Sequence, residues 1–527
     1  MQYIKDGGYG MKKAVAMLMC AAMAAGVLAG CGTNGQTGGT AGTENASQSE
    51  TEKGNTGTSA NAKSGDMVTL NLYIPTLANF SEDAIQEVQD ALNAYAADKY
   101  GWQVKLNYSE IGNFEQNINL AMTTDQLDVT CYFNSSGQLL NYAHNHQLLD
   151  ITDRFAEASD DFKNIFTDAE LASSTIDGKL YGVPRNYQYG GTECVVMNKD
   201  LVKEMNIDVS TIDDMDSLGK VLYQVHEKHP EIYALVPQSS AEMTWCRPFI
   251  RGIGLTNYAY TEYTENNDST ELKSVFDTES FKKFCSYTRQ WYQDGLIMPD
   301  AVSNTQEGSS MVTAGAAFAC LHNCDIDPLD TVYPNTVCSP NFFKPFANPT
   351  DIGNLQYGIS ANSKHPDESF SLLTALYTDK DFETLLAYGI EGKHYVINAD
   401  GKADYPEGMT AETEPYGGFS ATATYPNYLI LPVKASATVD DYQKTVTDWN
   451  NSVKTNPATG FVFDTSKDTD FITAYKNTED KYLNALLTGS IAYDDTIDQI
   501  HSELDQLGFA DVLSRTQTAL DQYLANK

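Results

Sequence analysis

The sequence predicts an α/β protein of more than one domain behind a processed N-terminus. Three observations carry this. From residue 68 onward, strand and helix patterns alternate with short links, as in a parallel sheet. The body from residue 67 to 527 is too long for one hydrophobic core and has room for two or three. Ahead of it lie a short apolar run and then a long polar stretch, neither of which can join a packed core.

The N-terminal segments come first. Met11-Lys12-Lys13 followed by "AVAMLMCAAMAAGVLAG" has the charged start and short apolar core of a secretory signal. Met11 is read as the start of translation, and residues 1–30 as the signal peptide. The run is barely long enough to span a bilayer. It closes in Leu28-Ala29-Gly30-Cys31, which resembles the lipobox of bacterial lipoproteins. That resemblance implies cleavage before Cys31 and acylation of its thiol. Residues 32–66 contain no apolar side chain larger than alanine and cannot offset their ordering entropy. With Cys31 they form a tether, 31–66, with a reach of about 30–35 Å.

The folded body opens on "VTLNLYI", residues 68–74, where Val68, Leu70, Leu72 and Ile74 alternate and Pro75 is expected to end the strand. Ser81 with Glu82 and Asp83 gives a helix cap and an acidic first turn. Ile85, Val88, Leu92 and Tyr95 carry that helix to about Lys99. "WQVKLNY", from Trp102, is the next strand. A helix over 114–122 and a strand over 127–133 follow. A short helix over 160–165 precedes Asp177-Gly178, a turn into the strand Leu180–Val183, which Pro184 closes. A second α/β set begins at "CVVMNKDLVKEM" (194–205), with helices over 218–228 and 278–294 and a strand over 234–236. From Gly460 the pattern is helical, with Leu504, Leu507, Leu513, Leu520 and Leu524 as apolar positions.

Composition narrows the function classes. The net charge is −37, and Lys5, Lys12 and Lys13 outweigh Asp6 before Cys31, so the mature chain is more acidic still. Phosphate binding needs clustered Lys and Arg, so a nucleic-acid partner is excluded. Beyond Cys20 and Cys31 there are seven cysteines, at 131, 194, 246, 285, 320, 324 and 338. The odd number and the absence of CxxC indicate neither a zinc ribbon nor a disulfide framework, and most read as small buried residues. A Cys320–Cys324 bond is left open. No GxSxG, HExxH, GxxxxGK[ST] or strand-linked GxGxxG occurs. His226-Glu227-Lys228-His229 reads as a solvated helix end and His144/His146 as surface, so no catalytic residue, metal site or cofactor is assigned. The 32 tyrosines suit a surface that stacks on flat apolar faces.

The order of segments carries a resemblance. Lipobox, tether, "VTLNLYI", "YGWQVKLNY", "NFEQNINLAMTTDQLDVTCYF", "LLDIT", "DGKLYGVP" and "CVVMNKDLVKEM" together resemble the extracellular solute-binding proteins (family 1-like, carbohydrate type) of bacterial ABC importers. The C-terminal "GFVFDTSKDTDFITAYKNTEDKYLNALLTGS" is similar to that of LipO-like Gram-positive lipoproteins. The resemblance implies a type II two-lobe fold like that of periplasmic binding proteins. Each lobe would be a mixed, mainly parallel sheet flanked by helices, with a helical C-terminal region. It places the N-lobe at 67–186 and 320–358, the C-lobe at 187–319 and 359–454, and the helical region at 455–527. Residues 311–320 and 358–377 are its expected later crossings between lobes.

The implied function is capture of a carbohydrate, an oligosaccharide, by a monomer lipid-anchored on the extracellular side of the cell membrane. The solute would pass to ABC permease subunits without any chemical step. The resemblance assigns the cleft to Tyr73 and Thr76 past the first strand, Tyr132 and Asn134 after the third, and Arg185, Tyr187 and Tyr189 at the first crossing. Glu242, Trp245, Tyr425 and Asn427 complete it. Tyrosine stands in "TYPNY" where relatives often carry tryptophan. Binding of an oligopeptide or other polar solute by the same fold, a surface polysaccharide-degrading enzyme, and an adhesin are the alternatives.

Overall fold

A computed structural model describes residues 67–527 except 77–79, 135–137, 189, 239–251, 325–332, 334, 340–341, 343–345, 349–350, 412, 418, 420–423 and 438, and except the side chains of 192, 323 and 324. The signal segment, Cys31 and the tether lie outside the described residues, as do Tyr189, Glu242 and Trp245.

The first strand, β1 (Val68–Thr76), buries Leu70, Leu72 and Ile74 as the alternation requires. It runs through Pro75, pairing Pro75 with Ser109 and Thr76 with Glu110. The expected stop fails for a geometric reason. Odd-numbered residues of β1 turn their polar groups toward the third strand, as the Asn71–Asp128 bonds show. That ladder covers only Leu72 and Tyr73, so the N–H that Pro75 lacks faces no partner strand. Helix α1 (Glu82–Lys99) starts where the Ser81 hydroxyl accepts from the Ala84 amide at 3.1 Å, and buries Ala84, Val88, Leu92 and Ala96. Strand β2 (Trp102–Glu110), helix α2 (Ile111–Thr123) and strand β3 (Val129–Phe133) follow.

Asp177 (φ 52°) and Gly178 (φ 78°) turn a two-residue hairpin, Thr175–Ile176 against Lys179–Leu180. The expected strand Leu180–Val183 is therefore broken, and pairing resumes in β4 (Val183–Pro184). Between the pieces, a Cβ on Gly182 would stand 2.4 Å from the Tyr132 hydroxyl, so only glycine fits.

The chain then leaves the first lobe and enters β5 (Thr192–Asn198). Helix α3 (Met215–Lys228), β6 (Tyr233–Val236), helix α4 (Glu279–Gln293), β7 (Ala317–Cys324) and β8 (Thr336–Cys338) build the second lobe, with sheet order β8-β5-β7-β6. After β9 (Phe346–Ala347) the chain returns, and β10 (Leu355–Ile359) completes a five-stranded sheet ordered β2-β1-β3-β10-β4. Helix α5 (Pro366–Thr378) covers that sheet, and α6 (Lys380–Tyr388) packs on α5 and α1. A last crossing through β11 (Lys454–Thr455) leads to α7 (Thr469–Leu487), α8 (Tyr493–Gln506) and α9 (Phe509–Asn526). Both sheets are mixed: β1 is parallel to β2 and β3 and β10 is antiparallel to β3 and β4, while in the β8-β5-β7-β6 sheet β7 is parallel to β6 and antiparallel to β5, and β8 is antiparallel to β5.

Two separate hydrophobic cores fix the lobe membership and correct the expected boundaries. Residues 317–324 and 336–338 belong to the C-lobe, because β7 is a central strand paired on both sides and β8 pairs with β5. The described residues from 355 to about 448 belong to the N-lobe, with Leu372, Leu376, Phe382, Tyr416 and Tyr425 in its core. The C-terminal helices are part of the C-lobe core, to which they give Tyr475, Leu483, Leu486, Leu504 and Leu520. Among the described residues the crossings are thus 185–188 with 190–191, 346–348 with 351–354, and 449–455, rather than 311–320 and 358–377. Cys320 is buried and free, which closes the Cys320–Cys324 question, while Cys194 is disulfide-bonded to a partner outside the described side chains.

Candidate functional site

Parallel strands β1 and β3 end at one edge of the N-lobe sheet, and β4 delivers the chain to the first crossing at that same edge. In the C-lobe, β6 and β7 end at the edge where β5 begins, since Thr192 pairs with Cys324. Both edges therefore meet at the crossings, the place where ligands of open α/β sheets bind.

The crossings are laced together. Gly191 bridges to Phe346, and Phe346 and Ala347 pair with Lys454 and Thr455. Gly190 (φ 72°) is needed for close approach, because a Cβ there would lie 2.0 Å from the Phe346 carbonyl oxygen. On the N-lobe side, the Arg185 amide donates to Leu355 O at 2.9 Å and the Asn186 amide to Pro426 O at 2.8 Å.

Arg185 and Tyr187 lie against each other. The guanidinium carbon sits 4.3 Å from the Tyr187 ring centroid, and both side chains are half-buried. Tyr187 is held edge-on by Tyr428 at 5.0 Å, and Tyr428 in turn packs on Tyr442. Thr76 and Asn134 are half-buried at the ends of β1 and β3. Asn134 accepts from the Leu139 amide at 3.2 Å, and its own amide donates to Asn354 O at 2.7 Å. Tyr73 is half-buried one turn of the pleat earlier, where burial pushes its phenol up.

Three expected contact residues face inward instead. Tyr132 is wholly buried and donates to Gln356 Oε1 at 2.8 Å, while Gln356 donates to Ser173 O and Gly353 O. Tyr425 is buried with its hydroxyl 3.4 Å from that of Tyr108, and burial pushes it well up. Asn427, 1% exposed, donates to Tyr377 O at 2.6 Å and accepts from Asn186 Nδ2 at 2.9 Å and the Leu429 amide at 3.2 Å. Segment 424–427 runs along the sheet edge from Pro75, whose carbonyl accepts from Thr424, to Asn186, so its side chains brace the edge from beneath. Beneath it lies buried Glu383, whose carboxyl burial pushes well above the usual range.

The structure adds groups that the sequence reading missed. Phe80 and Tyr108 stack at 4.4 Å near the ends of β1 and β2, and the Tyr108 hydroxyl lies 2.7 Å from that of Tyr416. Across the crossings, Gln238 follows β6 and donates to Ser309 Oγ at 3.1 Å. Tyr333 donates to Glu307 at 2.8 Å, and its ring lies 5.7 Å from His322. Burial works to raise the Glu307 carboxyl, but bonds from Tyr333, Ser310 and Ser309 outweigh it and hold the group below its usual range. One carboxylate among 71 acidic residues carries no signal in sequence.

The HxxH stretch ends α3, where Lys228 and His229 pair with Glu204 at 2.8 and 3.2 Å. Among the described residues no cluster could hold a metal ion, and no helix is long and apolar enough to cross a membrane.

Known proteins share this architecture. The family model for bacterial extracellular solute-binding proteins matches residues 90–390, and a domain model of unknown function, DUF3502, matches 457–525. A carbohydrate ABC transporter substrate-binding protein of Streptococcus pneumoniae serotype 4 is 24% identical over 486 residues, covering 88% of this chain and 93% of its own. The crystal structure of the N-glycan transport solute-binding protein NgtS of S. pneumoniae aligns with a TM-score of 0.70 at 19% identity, over 87% of this chain and 99% of that one. A solute-binding protein of Bifidobacterium longum infantis, described as HMO-binding and ABC-transporter-associated, aligns with a TM-score of 0.63 at 15% identity, over 87% and 100%. These likenesses establish the fold as the type II arrangement of two α/β lobes.

Proposed function

The chain belongs to the bacterial extracellular solute-binding protein family, and on that premise we propose that it captures a carbohydrate, an oligosaccharide, between its lobes. It is held by lipid on Cys31 at the outer face of the cell membrane and passes the sugar to ABC permease subunits, acting by binding and not by turnover.

The observation that carries this reading is the Arg185–Tyr187 pair at the first crossing. A sugar presents an apolar C–H face and a rim of hydroxyls. An aromatic ring with a guanidinium and neighbouring carboxamides matches both. Tyr187 supplies the stacking face, while Arg185, Asn134 and Thr76 supply polar groups at the same sheet edge. Glu307 and the Tyr333 hydroxyl, whose proton goes to Glu307, offer acceptors from the C-lobe. Tyr73, Tyr189, Glu242 and Trp245 remain proposed contacts, and the Phe80–Tyr108 stack gives a further flat face for a second sugar ring. The supporting relatives are the carbohydrate substrate-binding protein of S. pneumoniae and NgtS, whose structures include complexes with Man1GlcNAc and Man5GlcNAc. Binding in the cleft favours the closed arrangement by its extra contacts to both lobes.

Thermal-shift titration with oligosaccharides and peptides tests the solute class, since a ligand raises the melting temperature with its occupancy. A response to sugars that Arg185→Ala and Tyr187→Ala abolish, while both variants still unfold cooperatively, is expected. A response to peptides alone, or sugar hydrolysis, overturns the reading. Labelled palmitate should enter the wild-type protein in cells and not Cys31→Ser; equal labelling overturns the anchor.

A further inference from the structure

The second and third crossings are tied to the C-lobe by one side chain. Asn267 is 1% exposed and adopts φ 53°. Its Nδ2 donates to Ala347 O and to Lys454 O, both at 2.8 Å. Those carbonyls belong to β9 and β11, the two strands that carry these crossings. Asn267 is itself seated by buried Asn456, whose Nδ2 donates to Asn267 O and Oδ1 at 3.2 Å and to Ser269 O at 3.0 Å. The surrounding segment belongs firmly to the C-lobe: Tyr263 packs edge-on to Phe346 at 6.2 Å, and the Leu272 amide donates to Gln517 of α9 at 2.8 Å.

The residue type follows from the geometry. The position needs a left-handed backbone, which asparagine tolerates better than most side chains. It also needs two N–H donors on one short side chain, which a carboxamide supplies and a carboxylate does not. Glycine would satisfy the backbone and leave both carbonyls without that donor; aspartate would place acceptors against acceptors.

At the other end, Asn186 Nδ2 donates to Asn427 Oδ1 at 2.9 Å and fixes the first crossing to the N-lobe. Between the two anchors lie, among the described residues, 187, 188, 190, 348, 351–353 and 449–453. There Trp449 packs on Ala347, Ile352 and Val453 in a cluster separate from both lobe cores.

We propose that Asn267, seated by Asn456, is a positioning residue that locks β9 and β11 to the C-lobe, so that lobe motion bends the crossings outside these two strands. The proposal rests on the two-lobe arrangement and on no particular solute, so failure of the carbohydrate reading leaves it standing.

The test is made without solute. Spin labels at Leu120 and Val302, exposed by 64% and 41%, report the distance between lobes, and labels at Leu120 and Ile397 (40% exposed) report the N-lobe alone. Half-buried Cys338 is replaced by serine in every sample. In Asn267→Gly the inter-lobe distribution is expected to broaden while the N-lobe distribution stays as in the parent protein. Amide exchange at 346–348 and 454–456 should quicken by roughly tenfold. Asn456→Ser retains an acceptor for the Ala458 amide, removes the seat of Asn267, and should broaden the inter-lobe distribution less. An unchanged inter-lobe distribution in Asn267→Gly overturns the proposal. So does equal broadening within the N-lobe, or failure of both variants to fold, since either makes Asn267 a residue of general stability.

Discussion

Replacing Asn427 with alanine separates a bracing residue from a binding one, because the structure gives this side chain three protein partners and no open face. Its Nδ2 caps Tyr377 O in the last turn of α5, its Oδ1 accepts from the Leu429 amide, and it holds Asn186. An orphaned buried carbonyl costs about 1–3 kcal/mol. Losing the side-chain cap on the Leu429 amide adds about 1 kcal/mol. Asn186 is half-buried and can turn its amide to water, so it adds little. The sum, about 3 kcal/mol, corresponds to a fall of about 6–12 °C in the melting temperature of a lobe of roughly 200 residues. Calorimetric unfolding of Asn427→Ala measures this directly. If Asn427→Ala melts with the wild type but loses solute affinity, the bracing account is wrong and Asn427 touches solute.

Two further expectations concern stability. Asp379 caps α6 and accepts from Lys99 at 2.8 Å, Tyr100 at 2.6 Å and Tyr95 at 3.0 Å. Burial works to raise its carboxyl, yet these bonds prevail and hold it below its usual value. Its folded pKa is depressed, so its contribution is present above the unfolded carboxylate value of about 3.9 and lost as pH falls through the folded one. The melting-temperature gap between wild type and Asp379→Asn should close on acidification below about pH 4; a gap that stays constant to pH 2 contradicts this. Ending the chain after Asn456 removes Tyr475, Leu483, Leu486, Leu504 and Leu520 from the C-lobe core. Each buried leucine is worth about 1.5–3 kcal/mol. The truncated protein should aggregate on size-exclusion chromatography, and a soluble monomer with native circular dichroism would count against the core assignment.

What the sequence made legible was local. The Ser81 cap and the alternation of Val68–Ile74 announce α1 and β1, and Pro184 with Gly190 and Gly191 marks the first crossing. Pairing between distant segments was not legible. The apolar run Ala317–Leu321 reads equally as a link or as a central strand, and only its partners β5 and β6 decide. For the same reason residues 359–454 carried no mark of their lobe. Side-chain direction was hidden too: Tyr132 and Tyr425 lie in segments that reach the candidate site, but each hydroxyl finds a buried partner and turns its ring inward. Asn267 and Asn456 announce nothing in sequence, because their role depends on carbonyls of residues 80 and 189 positions away.

Calorimetric titration of the purified protein with neutral oligosaccharides of increasing length, run in parallel on wild type, Arg185→Ala and Tyr187→Ala, addresses the central claim. Saturable binding by the wild type, lost in both variants while each stays folded at the titration temperature, is the predicted result. Folded wild-type protein that binds none of these sugars, or variants that bind as well as the wild type, would contradict it.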